Sequence, residues 1–184
     1  MKNEAAPIKL TLELWHMKTK LLLSRFIVAP ILVTFGLLGA PLLAADAPAK
    51  SSRPAIYDEQ VDGAKQIADA LAMAKKEHKR VLLQFGANWC GWCHRLHVLF
   101  QTNAPIAAKL KDSYVVVLID VNKEHNSATN EKYGKPTQHG LPVIVVLDAD
   151  GKPLTTQDTG KLEDGDHHDP AKVLAFLEQW APKR

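Results

Sequence analysis

Val81-Leu82-Leu83-Gln84-Phe85-Gly86-Ala87-Asn88-Trp89-Cys90-Gly91-Trp92-Cys93-His94 is the stretch whose reading decides the fold. Its first five residues form an apolar run of strand length. Gly86-Ala87-Asn88 breaks that run, and a helical stretch follows the cysteines through Leu110, broken near Asn103-Ala104-Pro105. Cys90 and Cys93 therefore sit where a strand turns into a helix. They are the whole thiol inventory of the 184 residues. A bridge across two intervening residues closes almost no loop, so it contributes little stability to the chain. Its purpose is chemical.

Outward from this stretch the periods alternate. From Asp58, residues Val61, Ala64, Ile67, Ala68, Leu71 and Ala74 recur at three- and four-residue steps, a helix ending in Lys75-Lys76-Glu77-His78-Lys79. Tyr114 to Asp120 is a second buried strand, rich in β-branched residues. Glu124 to Tyr133 reads as a short helix, and Val143 to Leu147 as a third strand. Asp148 to Gly151 turns the chain into a fourth strand around Pro153–Thr159. Asp169-Pro170 opens a last helix running to about Trp180, with a cap and then a proline in the first turn. The fold class is α/β, a central mixed sheet of about four strands flanked by helices. The alternating front half implies parallel pairing, and the final hairpin adds antiparallel strands.

Three chemistries fit the cysteine pair. The first is a redox dithiol: at a helix N-terminus, unpaired N–H groups and the helix dipole favour the Cys90 thiolate. Thiolate is the nucleophile in exchange, and Cys93 is spaced to release a mixed disulfide. The second is covalent haem, since Cys90-Gly91-Trp92-Cys93-His94 also satisfies C-x-x-C-H. Against it, the sheet-forming chain has a complete core, and Met73 is the one methionine of the body. The third is a metal site using Cys93, His94 and His97 on one helix face. Structural zinc normally takes four ligands from two separated pairs, and a second pair is absent. Neither metal nor another cofactor is expected beyond the dithiol itself.

Charge adds the compartment. Five basic residues (Lys2, Lys9, Lys18, Lys20, Arg25) and two acidic ones (Glu4, Glu13) precede residue 46, so the net +3 lies wholly in the leader. The neutral body has no concentrated basic face, which argues against nucleic acid. Met17-Lys18-Thr19-Lys20, Arg25, the apolar Phe26–Leu43 and the small Ala44, Ala45 and Ala47 follow the order of a secretory signal. Residues 1–45 are read as an extension plus signal peptide, with a retained membrane anchor over 26–45 as the alternative. Residues 46–56 are a flexible linker and 57–184 the folded domain. The folded part is expected to be exported, to the periplasm.

Phe85-Gly86-Ala87-Asn88-Trp89-Cys90-Gly91-Trp92-Cys93, followed by Gly140-Leu141-Pro142-Val143, resembles the thioredoxin superfamily. The likeness is to exported thioredoxin-like proteins and to the C-terminal domain of the disulfide reductase DsbD, over roughly residues 57–183. The resemblance implies a thioredoxin-like fold and thiol–disulfide exchange, with Cys90 attacking and Cys93 resolving. Pro142 would be a cis-proline facing the dithiol, and Leu141 would offer backbone groups to an extended substrate. Members of the superfamily typically carry a buried aspartate before the motif and a lysine on the next strand. Here Gln84 occupies the first position and Val115–Ile119 holds no lysine. Losing both avoids one unpaired buried charge, but leaves the resolving thiol's proton to water, a substrate group or His94.

Of the remaining residues, Trp92 is expected on the rim that meets substrate and Trp89 packed on the sheet, with Trp89, Trp92 and Leu141 as the substrate-contacting set. His94 either supports the thiolate or is a plain first-turn residue, and His97 is a plain helix residue. Gly160 to Pro170, with four carboxylates and two histidines, reads as a solvated loop. The function implied is a protein-disulfide oxidoreductase. The reductive direction is favoured because no basic residue separates the cysteines, and a membrane protein would be its electron donor or acceptor. The alternative is a thioredoxin-fold binding or chaperone module with an incidental dithiol.

Overall fold

The computed structural model describes residues 53–183. The leader, with its reading as signal peptide or anchor, lies outside the described residues. Helix α1 (Gly63–Glu77) begins where the Asp62 side chain accepts the N–H groups of Ala64 and Lys65, and ends at His78 in the left-handed conformation. The sequence periodicity runs back to Asp58, but the helix does not. Residues 58–62 form a turn in which the Asp58 Oδ1 accepts the Gln60 N–H at 2.9 Å, and Asn88 pins the chain just before it: its Oδ1 takes the N–H groups of Ile56 and Tyr57, both at 2.9 Å. Its Nδ2 donates to the Tyr57 carbonyl at 3.0 Å. That segment is thereby held against the sheet instead of coiling.

Strand β1 (Arg80–Gly86) enters the centre of the sheet. It is followed by α2 (Gly91–Thr102), α3 (Ala104–Ser113) and β2 (Tyr114–Asp120). The α2–α3 break falls at Asn103, whose side chain caps α3 by accepting the Ile106 N–H, with Pro105 in the first turn. A 3-10 turn (Asn122–Glu124) and α4 (Ser127–Lys132) occupy the expected 124–133 helix. Lys123, Glu124 and Asn126 all have positive φ, which prevents a continuous helix through them. Strands β3 (Val143–Leu147) and β4 (Pro153–Asp158) form the hairpin.

The sheet order is β2-β1-β3-β4. β1 and β2 are parallel, from Arg80 opposite Tyr114 to Gly86 opposite Asp120. β3 is antiparallel to both β1 and β4. One face packs Val81, Leu83, Phe85, Ile119, Val143 and Val145 on Ile67, Ala70 and Ala74 of α1. The other packs Leu82, Ile144 and Val146 on α2, α3 and the last helix, α5 (Pro170–Gln179), through Leu96, Ile106 and Leu177. Each such fully buried aliphatic side chain contributes about 1.5–3 kcal/mol. Asp169 caps α5 by accepting from Ala171 at 2.7 Å, as its sequence implies.

Residues 160–170 are not a plain solvated loop. They form a small hairpin, β5 (Glu163–Asp164) with β6 (His167–His168), turning at Gly165 with φ 61°. The physical reason is a ring contact. His168 is buried at 3% exposure and meets Trp92 edge-on, centroids 5.3 Å apart. Among the described residues, no helix is long and apolar enough to cross a membrane.

Candidate active site at the start of α2

Cys90 is the N-cap of α2, with extended backbone angles. Its Sγ accepts the N–H of Cys93 at 3.1 Å, so an unpaired donor of the first turn is aimed at this sulfur. The two cysteines are joined in a disulfide. Cys90 is 5% exposed and Cys93 fully buried, so any attack from solvent is on Cys90. His94 is half-buried and its Nε2–H donates to the Asn88 carbonyl at 2.8 Å, a tether to the motif's own backbone. His97 pairs with Gln101 at 2.9 Å on the helix surface.

Gln84 is completely buried behind the disulfide, opposite Leu118 on β2. Its Nε2 donates to the hydroxyl of Tyr57 at 2.7 Å, and its Oε1 has no partner among the described residues. Tyr57, 3% exposed, joins Cys90 and Cys93 in one cluster, with Ile56, Trp92, Leu118 and Leu141 against it. Gly86 is what lets the ring in. A Cβ there would lie 2.6 Å from the Tyr57 Cζ and 2.7 Å from the Cys93 Sγ. Burial raises the phenol above its ordinary range, and the Asp120 charge adds to this. Sequence reasoning missed Tyr57. The available signal was Gly86, since a glycine within a strand often marks a close approach.

The Leu141–Pro142 peptide is cis. Leu141 packs against the cysteine cluster, and the buried Pro142 carbonyl accepts the Thr159 hydroxyl. Trp89 is not packed on the sheet as expected. Trp89 is 62% exposed, its indole N–H donating to Asn122 at 3.1 Å. Trp92 is the half-buried one, with the Arg95 guanidinium 4.6 Å from its ring centroid on one side and His168 at its edge. The difference between the two follows from the helix register. Position 92 faces the β5–β6 hairpin, whereas Trp89 precedes the helix and projects past it.

A haem thioether on Cys93 would have to enter a fully buried pocket between sheet and helix. Among the described residues, no three His, Cys, Asp or Glu side chains converge as a metal site needs.

A dithiol turn between β1 and α2, on a mixed sheet of this order, is the arrangement of a thioredoxin-like disulfide oxidoreductase. A family model described as thioredoxin-like matches residues 62–149. The crystal structure of a disulphide isomerase from Xylella fastidiosa Temecula1 is 35% identical, with TM-score 0.62, covering 68% of this chain and 96% of that one. The chain belongs to the thioredoxin-like family. Among curated relatives, DsbD of Actinobacillus pleuropneumoniae is 31% identical over 107 residues, 57% of this chain and 18% of that protein. A protein disulfide-isomerase of Medicago sativa is 32% identical over 65 residues, 34% of this chain and 13% of that protein. The matched stretch thus spans less than a fifth of these curated relatives.

Proposed function

We propose that the protein reduces disulfides of partner proteins outside the cytoplasm, through Cys90 and Cys93. The carrying observation is the contrast between the two sulfurs: Cys90 at the helix N-terminus accepts a backbone N–H, while Cys93 is sealed beneath it. In the reduced state the Cys90 thiolate attacks one sulfur of a substrate disulfide. The substrate's other sulfur leaves as thiolate and takes a proton from water. Cys93 then attacks the Cys90 sulfur, forming the Cys90–Cys93 disulfide and expelling the second substrate sulfur. The proton lost by Cys93 ends on that leaving sulfur. Two electrons and two protons pass to the substrate, and a donor dithiol must return them, fitting an electron-supplying membrane protein.

Roles for the surrounding residues follow. Leu141 and the cis Pro142 present backbone to an extended substrate, and the exposed Trp89 gives it an apolar contact. Gln84 cannot take a proton from Cys93. The Tyr57 phenol, held protonated by burial, donates a hydrogen bond to the Cys93 sulfur as its thiolate forms. The reading is tested by insulin-disulfide reduction with the wild type and Cys90→Ser. Turnover by the wild type alone is expected, and equal turnover by both overturns it in favour of a binding module. Direction is tested by the reduction potential: a reductase lies nearer about −270 mV than about −120 mV.

A further inference from the structure

A groove of about 620 Å³ runs beside the dithiol turn, between α2 and the β5–β6 hairpin. That volume is within the usual range of ligand sites, roughly 300–1,000 Å³. Its lining includes Gly91, the residue next to Cys90, and reaches Thr102 at the far end of α2. At about 1.5 Å per helical residue it is about as long as a five-residue extended peptide. Val98 and Leu99 supply apolar surface.

The charge in this groove is one-sided. Arg53, Arg95, His94, His167 and His168 line it, against the single carboxylate of Asp166. The body of the chain is neutral overall, so two guanidinium groups against one carboxylate are a local excess of positive charge. Arg53 reaches the dithiol turn itself, since a Cβ on Gly91 would meet its Nη1 at 3.2 Å. His168 is the second observation. It is 3% exposed, and neither ring nitrogen has a hydrogen-bond partner among the described residues. Buried polar atoms are nearly always paired, and the residue that carries these two borders the groove. Burial first, then Arg95 and His167, lower its pKa to about 4, so the ring is a neutral imidazole near pH 7 with one N–H still unpaired among the described residues.

We propose that this groove takes an acidic side chain of the partner polypeptide, close to the cysteine presented to Cys90, so that disulfides flanked by Asp or Glu are the preferred substrates. The Arg95 guanidinium in the groove matches a carboxylate, which accepts planar paired hydrogen bonds. The length and apolar surface match a chain segment better than a lone anion. The inference rests on the redox reading above and gives that activity its substrate preference.

The test uses disulfide-linked peptides carrying Glu or Gln at each position within five residues of the cysteine, read as kcat/KM. The best Glu peptide is expected to be reduced about tenfold faster than its Gln twin at low salt, the scale of one charge-assisted hydrogen bond. In Arg95→Gln, and in the wild type at high salt, that ratio is expected to shrink towards one. Because it is a ratio, a general loss of activity in the variant does not affect it. A wild-type ratio near one, or one unmoved by Arg95→Gln, overturns the proposal. Arg95-dependent reduction of glutathione disulfide without a Glu preference assigns the groove to small molecules and also overturns it. Reduction of neither peptide sinks the redox reading, and this inference with it.

Discussion

Gln84 on β1 and Asp120 on β2 are two buried polar side chains on one face of the sheet, and they are treated oppositely. Asp120 is 1% exposed and ionisable. Its Oδ2 accepts from His125 Nδ1 at 3.0 Å and from the Asn122 N–H at 3.2 Å, while Oδ1 has no partner among the described residues. Gln84, which lies behind the dithiol, cannot ionise and is paired with a phenol. A charge is kept where a histidine can share it and excluded where Cys93 must react. A lone buried carboxylate costs several kcal/mol unless it is paired, and Leu118 opposite Gln84 offers no pairing.

Gln84→Asp breaks this contrast most severely. With no cation opposite, the new carboxyl holds its proton more tightly folded than unfolded. Stability therefore falls as pH rises above about 4, by about 1.4 kcal/mol per pH unit until the folded-state pKa is passed. Urea unfolding at pH 4 and pH 8 checks this, with the larger loss expected at pH 8. Tyr57→Phe removes the partner of Gln84 Nε2 and leaves both amide atoms unpaired, a loss of about 1–3 kcal/mol. It is also expected to slow the resolving step at fixed pH, read by single-turnover release of the substrate thiol. An unchanged rate would remove the phenol from the chemistry. Asp120→Asn is the mildest. Burial raises the Asp120 pKa despite the opposing His125 and Asn122 hydrogen bonds, so the wild type loses stability as pH climbs above about 4. The variant should flatten that part of the pH–stability curve while remaining active in thiol–disulfide exchange.

Sheet and site were legible to different depths. The strand before the dithiol, the break at Asn103, the Asp169 cap and the absence of an acid at Gln84 are local features, readable from spacing and residue type. Tyr57 was not, because its contact with Gln84 spans 27 residues and depends on Asn88 pinning the Ile56–Tyr57 backbone. Read by period alone, the residues beside Tyr57 joined the helix. Trp89 was misassigned for a related reason. Which indole is covered is decided by the β5–β6 hairpin, and a polar run with four carboxylates and two histidines gave no hint that His168 would be buried on Trp92. Long-range placement, not residue chemistry, was the missing information.

The central claim is that Cys90 attacks and Cys93 resolves. Mass spectrometry of mixed disulfides formed with a disulfide-bonded substrate protein tests it directly. Cys93→Ser should accumulate a covalent adduct at Cys90, Cys90→Ser should accumulate none, and the wild type should turn over without trapping. Adducts at Cys93 in Cys90→Ser to a similar extent, or none in Cys93→Ser, would contradict the account.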